Sequence, residues 1–185
     1  MPLPPFNPRF LLPDQIHPAT LEDLRARCVV EFPGSATRPD IFANFARYRN
    51  AIAALGFSVT QWVDGSFVDG TRADPEDIDV VNFCASENIR AVSADARRQI
   101  PLLLGAGRGT IAEYQVHSFF VASYDYDHHR WGDFEMFRKF WRRHFSQPLN
   151  YAVPSKPSAP ERGRKGIVQI SLGDAKLCPW IDPLP

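Results

Sequence analysis

The sequence predicts an α+β fold with an α/β-like arrangement, a small mixed β-sheet flanked by helices. Three observations carry this. Ile41, Phe45, Tyr48, Ile52 and Leu55 recur at intervals of three and four, which lays one apolar stripe along a helix. Phe57 to Val63 and Ile78 to Phe83 are short runs rich in strand formers, separated by turn residues. Along the chain the order reads helix, strand, turn, strand, helix, strand, helix, and such an alternation stacks helices on a sheet.

At 185 residues, with 44% hydrophobic and 23% charged positions, the chain suits one globular domain with a sizeable core. Residues 1–18 hold six of the 17 prolines and read as an extended arm. Residues 19–151 read as the main domain, and 152–185 as a Pro-rich, basic linker and a C-terminal strand packed on that domain. Thr20 caps a helix running to about Cys28, with Glu22 and Asp23 in its first turn. Residues 31–39 form a loop, and Gly56 stops the helix that follows. Glu87 to Leu104 reads as one helix ending before Gly105–Gly109, residues 111–122 as a third strand, and Trp131–Phe145 as an aromatic-rich helix. Ile167–Leu172 is expected to add an edge strand.

The formal net charge is zero, so charged partners must be met by local patches. No run of 18 apolar residues suggests a membrane span, and the N-terminus lacks the charge and apolar core of a signal peptide. Cys28, Cys84 and Cys178 are odd in number and widely spaced, which argues against a disulfide framework and favours a cytoplasmic setting.

The chemistry concentrates in Gly65-Ser66 and Asp77-Ile78-Asp79, with ten residues between Ser66 and Asp77. Asp77 and Asp79, two apart on a strand, leave the same face, while Ile78 and Val80 turn to the core. Paired carboxylates repel unless a hard cation lies between them; Mg²⁺, with Mn²⁺ as the alternative, suits that place and would hold phosphates. Gly65 permits close backbone approach, and Ser66 offers a hydroxyl and an N–H.

On these residues the chain resembles the DNA polymerase β-like nucleotidyltransferase superfamily, whose signature is a Gly-Gly/Ser turn, a gap near ten residues and an acid–apolar–acid strand. It is similar, more closely, to small bacterial nucleotidyltransferase-like proteins that have been little characterised. The shared segments are Leu12-Pro, Ile16-His-Pro-Ala-Thr20, Asp64-Gly-Ser-Phe-Val68, Asp77-Ile-Asp79 and Gly163-Arg-Lys-Gly-Ile-Val168. The resemblance implies a minimal nucleotidyltransferase fold, catalytic Asp77 and Asp79 also acting as metal ligands, phosphate contacts from Gly65 and Ser66, and a triphosphate contact from Lys165.

Active members also carry a third acid on a neighbouring strand, and here His117 stands in its place. Glu113 would share that strand face, at a distance of ~13 Å. Three roles stay open for His117: a neutral metal ligand or base, part of a site that binds nucleotide but transfers poorly, or a hydrogen-bonded strand residue.

The activity so implied is transfer of a nucleoside monophosphate from a nucleoside triphosphate to a protein, RNA or small-molecule acceptor. The alternative is a catalytically impaired, nucleotide-binding regulatory module, with a cognate protein partner in a toxin–antitoxin or defence system by fold-level analogy. His128 and His129 read as an exposed loop. Arg138 and Arg142, one turn apart, read either as the wet face of an amphipathic helix or as a phosphate contact.

Overall fold

The computed structural model describes residues 2–147 and 163–173. Most of the linker expected over 152–166 and the tail beyond Gly173, Cys178 included, lie outside the described residues. A mixed five-stranded sheet carries six α-helices, so the α+β class holds. The strands are β1 (Ile16–Pro18), β2 (Val59–Asp64), β3 (Ile78–Ala85), β4 (Val116–Ser123) and β5 (Ile167–Leu172). Their spatial order is β1-β5-β2-β3-β4, with β1–β5 and β3–β4 parallel and the two remaining pairs antiparallel.

Helix α1 (Leu21–Arg25) starts with a capping box: Thr20 Oγ1 accepts from the Asp23 amide, and the Asp23 carboxylate accepts from the Thr20 amide. It runs into a π-helical turn, Ala26–Val30. Helix α2 (Arg38–Ala54) buries Ile41, Phe45, Tyr48 and Ile52, the stripe read from the sequence, and Gly56 leaves it at φ +81°. These side chains cover one sheet face together with Val59, Val63, Val80 and Val168. The other face, with Trp62, Val81, Phe83 and Val121, is closed by Phe134 and Phe145 of α6 (Trp131–Phe145).

Three local expectations are corrected. The single helix over 87–104 is broken into α3 (Ser86–Ala91), α4 (Ala94–Arg98) and a π-helical turn, Ile100–Leu104. Val92 is extended there, and Ser93 caps a new helix by accepting from the Ala96 amide. The strand over 111–122 starts later: Ile111–Tyr114 is α5, and Gln115, in the left-handed region at φ 50°, turns the chain into β4. Glu113 therefore lies on a helix and not on the strand face where it was a substitute acid. Finally, β5 is interior, because the N-terminal arm adds β1 outside it.

The arm is fastened by His17. Its Nε2 donates to Pro13 O at 2.9 Å and its Nδ1 accepts from Gln15 Nε2 at 3.3 Å, an arrangement that needs the neutral ring. The imidazole presses on Gly166, where an added Cβ would lie 2.6 Å from Nε2. The contact joins the arm to the residue that precedes β5.

Between β2 and β3 the polar loop of residues 65–77 has no ladder of its own. It is gathered by Arg38, which has no solvent exposure. The guanidinium donates to Ala73 O (3.0 Å), Cys28 O (2.9 Å), Phe67 O (2.5 Å), Asp69 O (3.0 Å), Arg72 O (2.6 Å) and, more loosely, Ser66 O (3.4 Å). Phe32 lies against it, 3.8 Å from the ring centroid.

Arg38→Met leaves these carbonyls without a donor. We expect a loss of about 3 kcal/mol or more in urea unfolding, with Arg38→Lys recovering only part because one ammonium cannot span the set. Burial, seconded by Arg142, lowers the His17 pKa below its ordinary 6.5, against the upward effect of the Pro13 bond. Its contribution to stability is therefore present above about pH 6.5 and lost as the pH falls through the lowered value. Thermal unfolding followed from pH 8 to pH 5 should show a drop that His17→Gln makes shallower.

Candidate functional site

At one end of the sheet, register aligns three side chains from three strands. Asp64, the last residue of β2, is paired with Asp79 on β3, and Asp79 is paired with His117 on β4. His117 Nδ1 lies 3.0 Å from Asp79 Oδ1. A carboxylate only accepts, so Nδ1 carries the proton and, in the neutral ring, Nε2 keeps a free lone pair. Both side chains stay open to solvent, Asp79 at 24% and His117 at 23%.

Asp77 stands just before β3 and is partly exposed. Its pKa is raised, first by burial and then by the Asp79 charge, with His117 pulling the other way. Register and mutual charge effects thus bring Asp77, Asp79 and His117 together at this end of the sheet. Among the described residues no group of three or more His, Cys, Asp or Glu side chains forms a ready metal cage. The donors fit a hard divalent cation in type: two mutually repelling carboxylates beside one ring nitrogen.

Gly65 turns over Asp79 at φ +82°, and a Cβ there would collide with Asp79 Oδ2 and stand 3.0 Å from its Cγ. Only glycine allows both the backbone conformation and the approach. Ser66 is buried beneath the same turn.

Lys165 has a different surrounding from the one expected of a triphosphate contact. It is 1% exposed, with Nζ 2.9 Å from Asp64 Oδ1 and 3.1 Å from Gly65 O. As placed, it braces the glycine turn from within. Burial raises the Asp64 carboxyl to about 7, against the opposing pull of the Lys165 ammonium. Sequence reasoning passed over Asp64, although it stands directly before Gly65 inside a segment that carried the resemblance.

The basic run on α6 is largely paired. Arg138 is buried and forms a two-pronged pair with Glu135 at 2.7 and 2.8 Å, and Arg142 binds Asp14 at 2.7 Å. Aromatics of α6 divide: Phe134 and Phe145 enter the core, whereas Phe137 and Phe140 remain exposed. The exposed pair, with Trp141, Phe119, Phe120 and Ile100, lines an apolar groove of about 440 Å³. It adjoins the acidic end of the sheet, because Phe119 lies 4.4 Å from the His117 ring and 4.4 Å from Trp141. His128 and His129 stack on each other in the loop before α6.

Fold and site together define an α+β protein with an acid–histidine cluster at one sheet end, beneath a glycine turn. A family described as being of unknown function, DUF6932, matches residues 4–171, and the chain belongs to that family. No curated protein matches the chain, and no solved structure does. The matched range includes Asp64, Gly65, Asp77, Asp79, His117 and Lys165.

Removing the Lys165 charge leaves Asp64 buried alone. Lys165→Met is expected to destabilise more at pH 8.5, where Asp64 is pressed to ionise, than at pH 5.5, where it is protonated. The alkaline loss is on the order of 3 kcal/mol. Urea titrations at the two pH values measure it, and Asp64→Asn in the same background should restore most of the difference.

Proposed function

We propose that the chain transfers a nucleoside monophosphate from a nucleoside triphosphate to a hydroxyl of a protein, RNA or small-molecule acceptor. The observation that carries this reading is the Asp79–His117 pair at 3.0 Å, set beside Asp77 and under Gly65. A Mg²⁺ ion, or Mn²⁺ in its stead, would be held by Asp77 and Asp79 and would neutralise phosphate charge. Asp79 orients His117 through Nδ1 and leaves Nε2 to take the proton of the attacking hydroxyl. The new bond joins that oxygen to the α-phosphorus, and pyrophosphate departs. Gly65 allows phosphate oxygens to approach the backbone, with Ser66 beside it. The groove along Phe119 and Trp141 offers a stacking surface to the nucleobase.

A second reading has its own observation: the position of a third acid holds a histidine whose Nδ1 is already engaged by Asp79. On that reading the chain binds nucleotide and regulates a cognate protein partner, as toxin–antitoxin or defence modules do. Exposed Met136, Phe137 and Phe140 on α6 would supply the contact surface. For either reading we infer a bacterial cytoplasmic setting, in keeping with the free, buried Cys28 and Cys84. Among the described residues no helix is long and apolar enough to cross a membrane.

The test is incubation with each labelled triphosphate, Mg²⁺ or Mn²⁺, and cell extract. We expect label on an acceptor, lost in Asp77→Ala/Asp79→Ala, and a fall of about 100-fold or more in His117→Ala if Nε2 is the base. Tight nucleotide binding without transfer would favour the regulatory reading, and no binding at all would sink both. A gain of activity in His117→Asp would show that His117 occupies the acid position but fills its role poorly.

A further inference from the structure

Two arginines of α2 are buried, and they are satisfied very differently. Arg38 meets six carbonyl oxygens. Arg49, 7% exposed, meets only two acceptors: Nη1 donates to Gln61 Oε1, and Nη2 to Ser171 O at 2.7 Å. A guanidinium carries five N–H donors, so most of the Arg49 fork lacks an acceptor among the described residues. No acid stands near it there. Burial alone lowers its pKa, to about 10, so it remains a cation at neutral pH.

Arg49 also forms one wall of a pocket of about 310 Å³, with Pro18, Ala19, Leu21 and Ile170 as apolar walls and Thr20 and Ser171 among its lining. The carboxylate of Asp23, outside the pocket lining, is committed to capping Thr20 and is partly exposed. The pocket thus joins apolar sides to a buried cation that has two acceptors, the Phe45 ring at 5.7 Å and no acid. Leaving such a charge unmatched is costly, and an incoming anion relieves it.

We propose that this pocket is a binding site for a small organic anion, whose carboxylate or phosphate head meets the Arg49 fork and whose apolar body rests on Ala19, Leu21 and Ile170. Planar oxyanion heads match the two-pronged geometry of a guanidinium. The site is independent of Asp77, Asp79 and His117, since Arg49 sits on the α2 face of the sheet and His117 and Phe119 belong to the α6 face.

Titration calorimetry and thermal unfolding of the full chain test this, with sodium phosphate and sodium butyrate compared with sodium chloride at equal ionic strength. Saturable binding above chloride is expected for at least one head, and the stronger of the two identifies its class. Arg49→Lys should weaken it by about tenfold or more, because the fork is lost while the charge is kept. Ala19→Leu, which fills the pocket without touching Arg49, should weaken it as well. Asp77→Asn/Asp79→Asn should bind as the unaltered chain does. The proposal is overturned if neither anion binds beyond chloride, or if binding survives both pocket variants. It is equally overturned if binding follows the Asp77/Asp79 variant.

Discussion

The guanidinium of Arg38 decides the shape of the loop on which the candidate site depends. Residues 65–77 must carry the chain from the glycine turn back to Asp77, and a polar loop of that length does not fix its own course. Arg38 converts carbonyls scattered from Ser66 to Ala73 into ligands of one planar group, and ties them to Cys28 at the end of the first helical segment. Asp77 and Asp79 stand together because they are two apart at the start of β3, and Arg38 fixes the course of the loop that joins them to the glycine turn. The cost of burying that charge is offset by carbonyl dipoles and by the Phe32 face, with the Asp69 and Asp74 carboxylates acting from farther off.

Of the four buried cations among the described residues, Arg38, Lys165 and Arg49 mark three different solutions to one electrostatic problem. Arg38 is saturated by backbone oxygens. Lys165 is matched by one carboxylate, Asp64, and by the carbonyl of Gly65, so its charge stiffens the turn above Asp79. Arg49 is tied into a core network instead: Gln61 bonds Asn82, which reaches Tyr48 Oη, Leu104 O and Phe119 O. That network fixes amides well but leaves the positive charge itself largely unanswered.

Much of the fold was legible because periodicity reports burial directly. The stripe from Ile41 to Ile52, the two strands around Gly65-Ser66 and the aromatic helix at 131–145 were all read from spacing. The Asp79–His117 neighbourhood came from resemblance, and strand register agrees with it. Other features were not legible, for physical reasons. Gln115 adopts a left-handed turn that side-chain alternation across 111–122 conceals. The breaks after Ala91 and Arg98 depend on a serine cap and a proline within an otherwise helical composition. The burial of Arg38, Arg49 and Lys165 was not legible either, since long-range carbonyl partners leave no trace in local sequence.

Sheet order has a temporal consequence. Strand β5 is inserted between β1, from the start of the chain, and β2, so the sheet stays split until residues 167–172 have emerged from the ribosome. Such long-range closure is slow and comes late. Lys165 arrives with the same segment, and until then Asp64 has no cation opposite it. The glycine turn over Asp79 is thus braced only after residue 165 has been synthesised, which keeps a shorter nascent polypeptide from holding that turn in its final form.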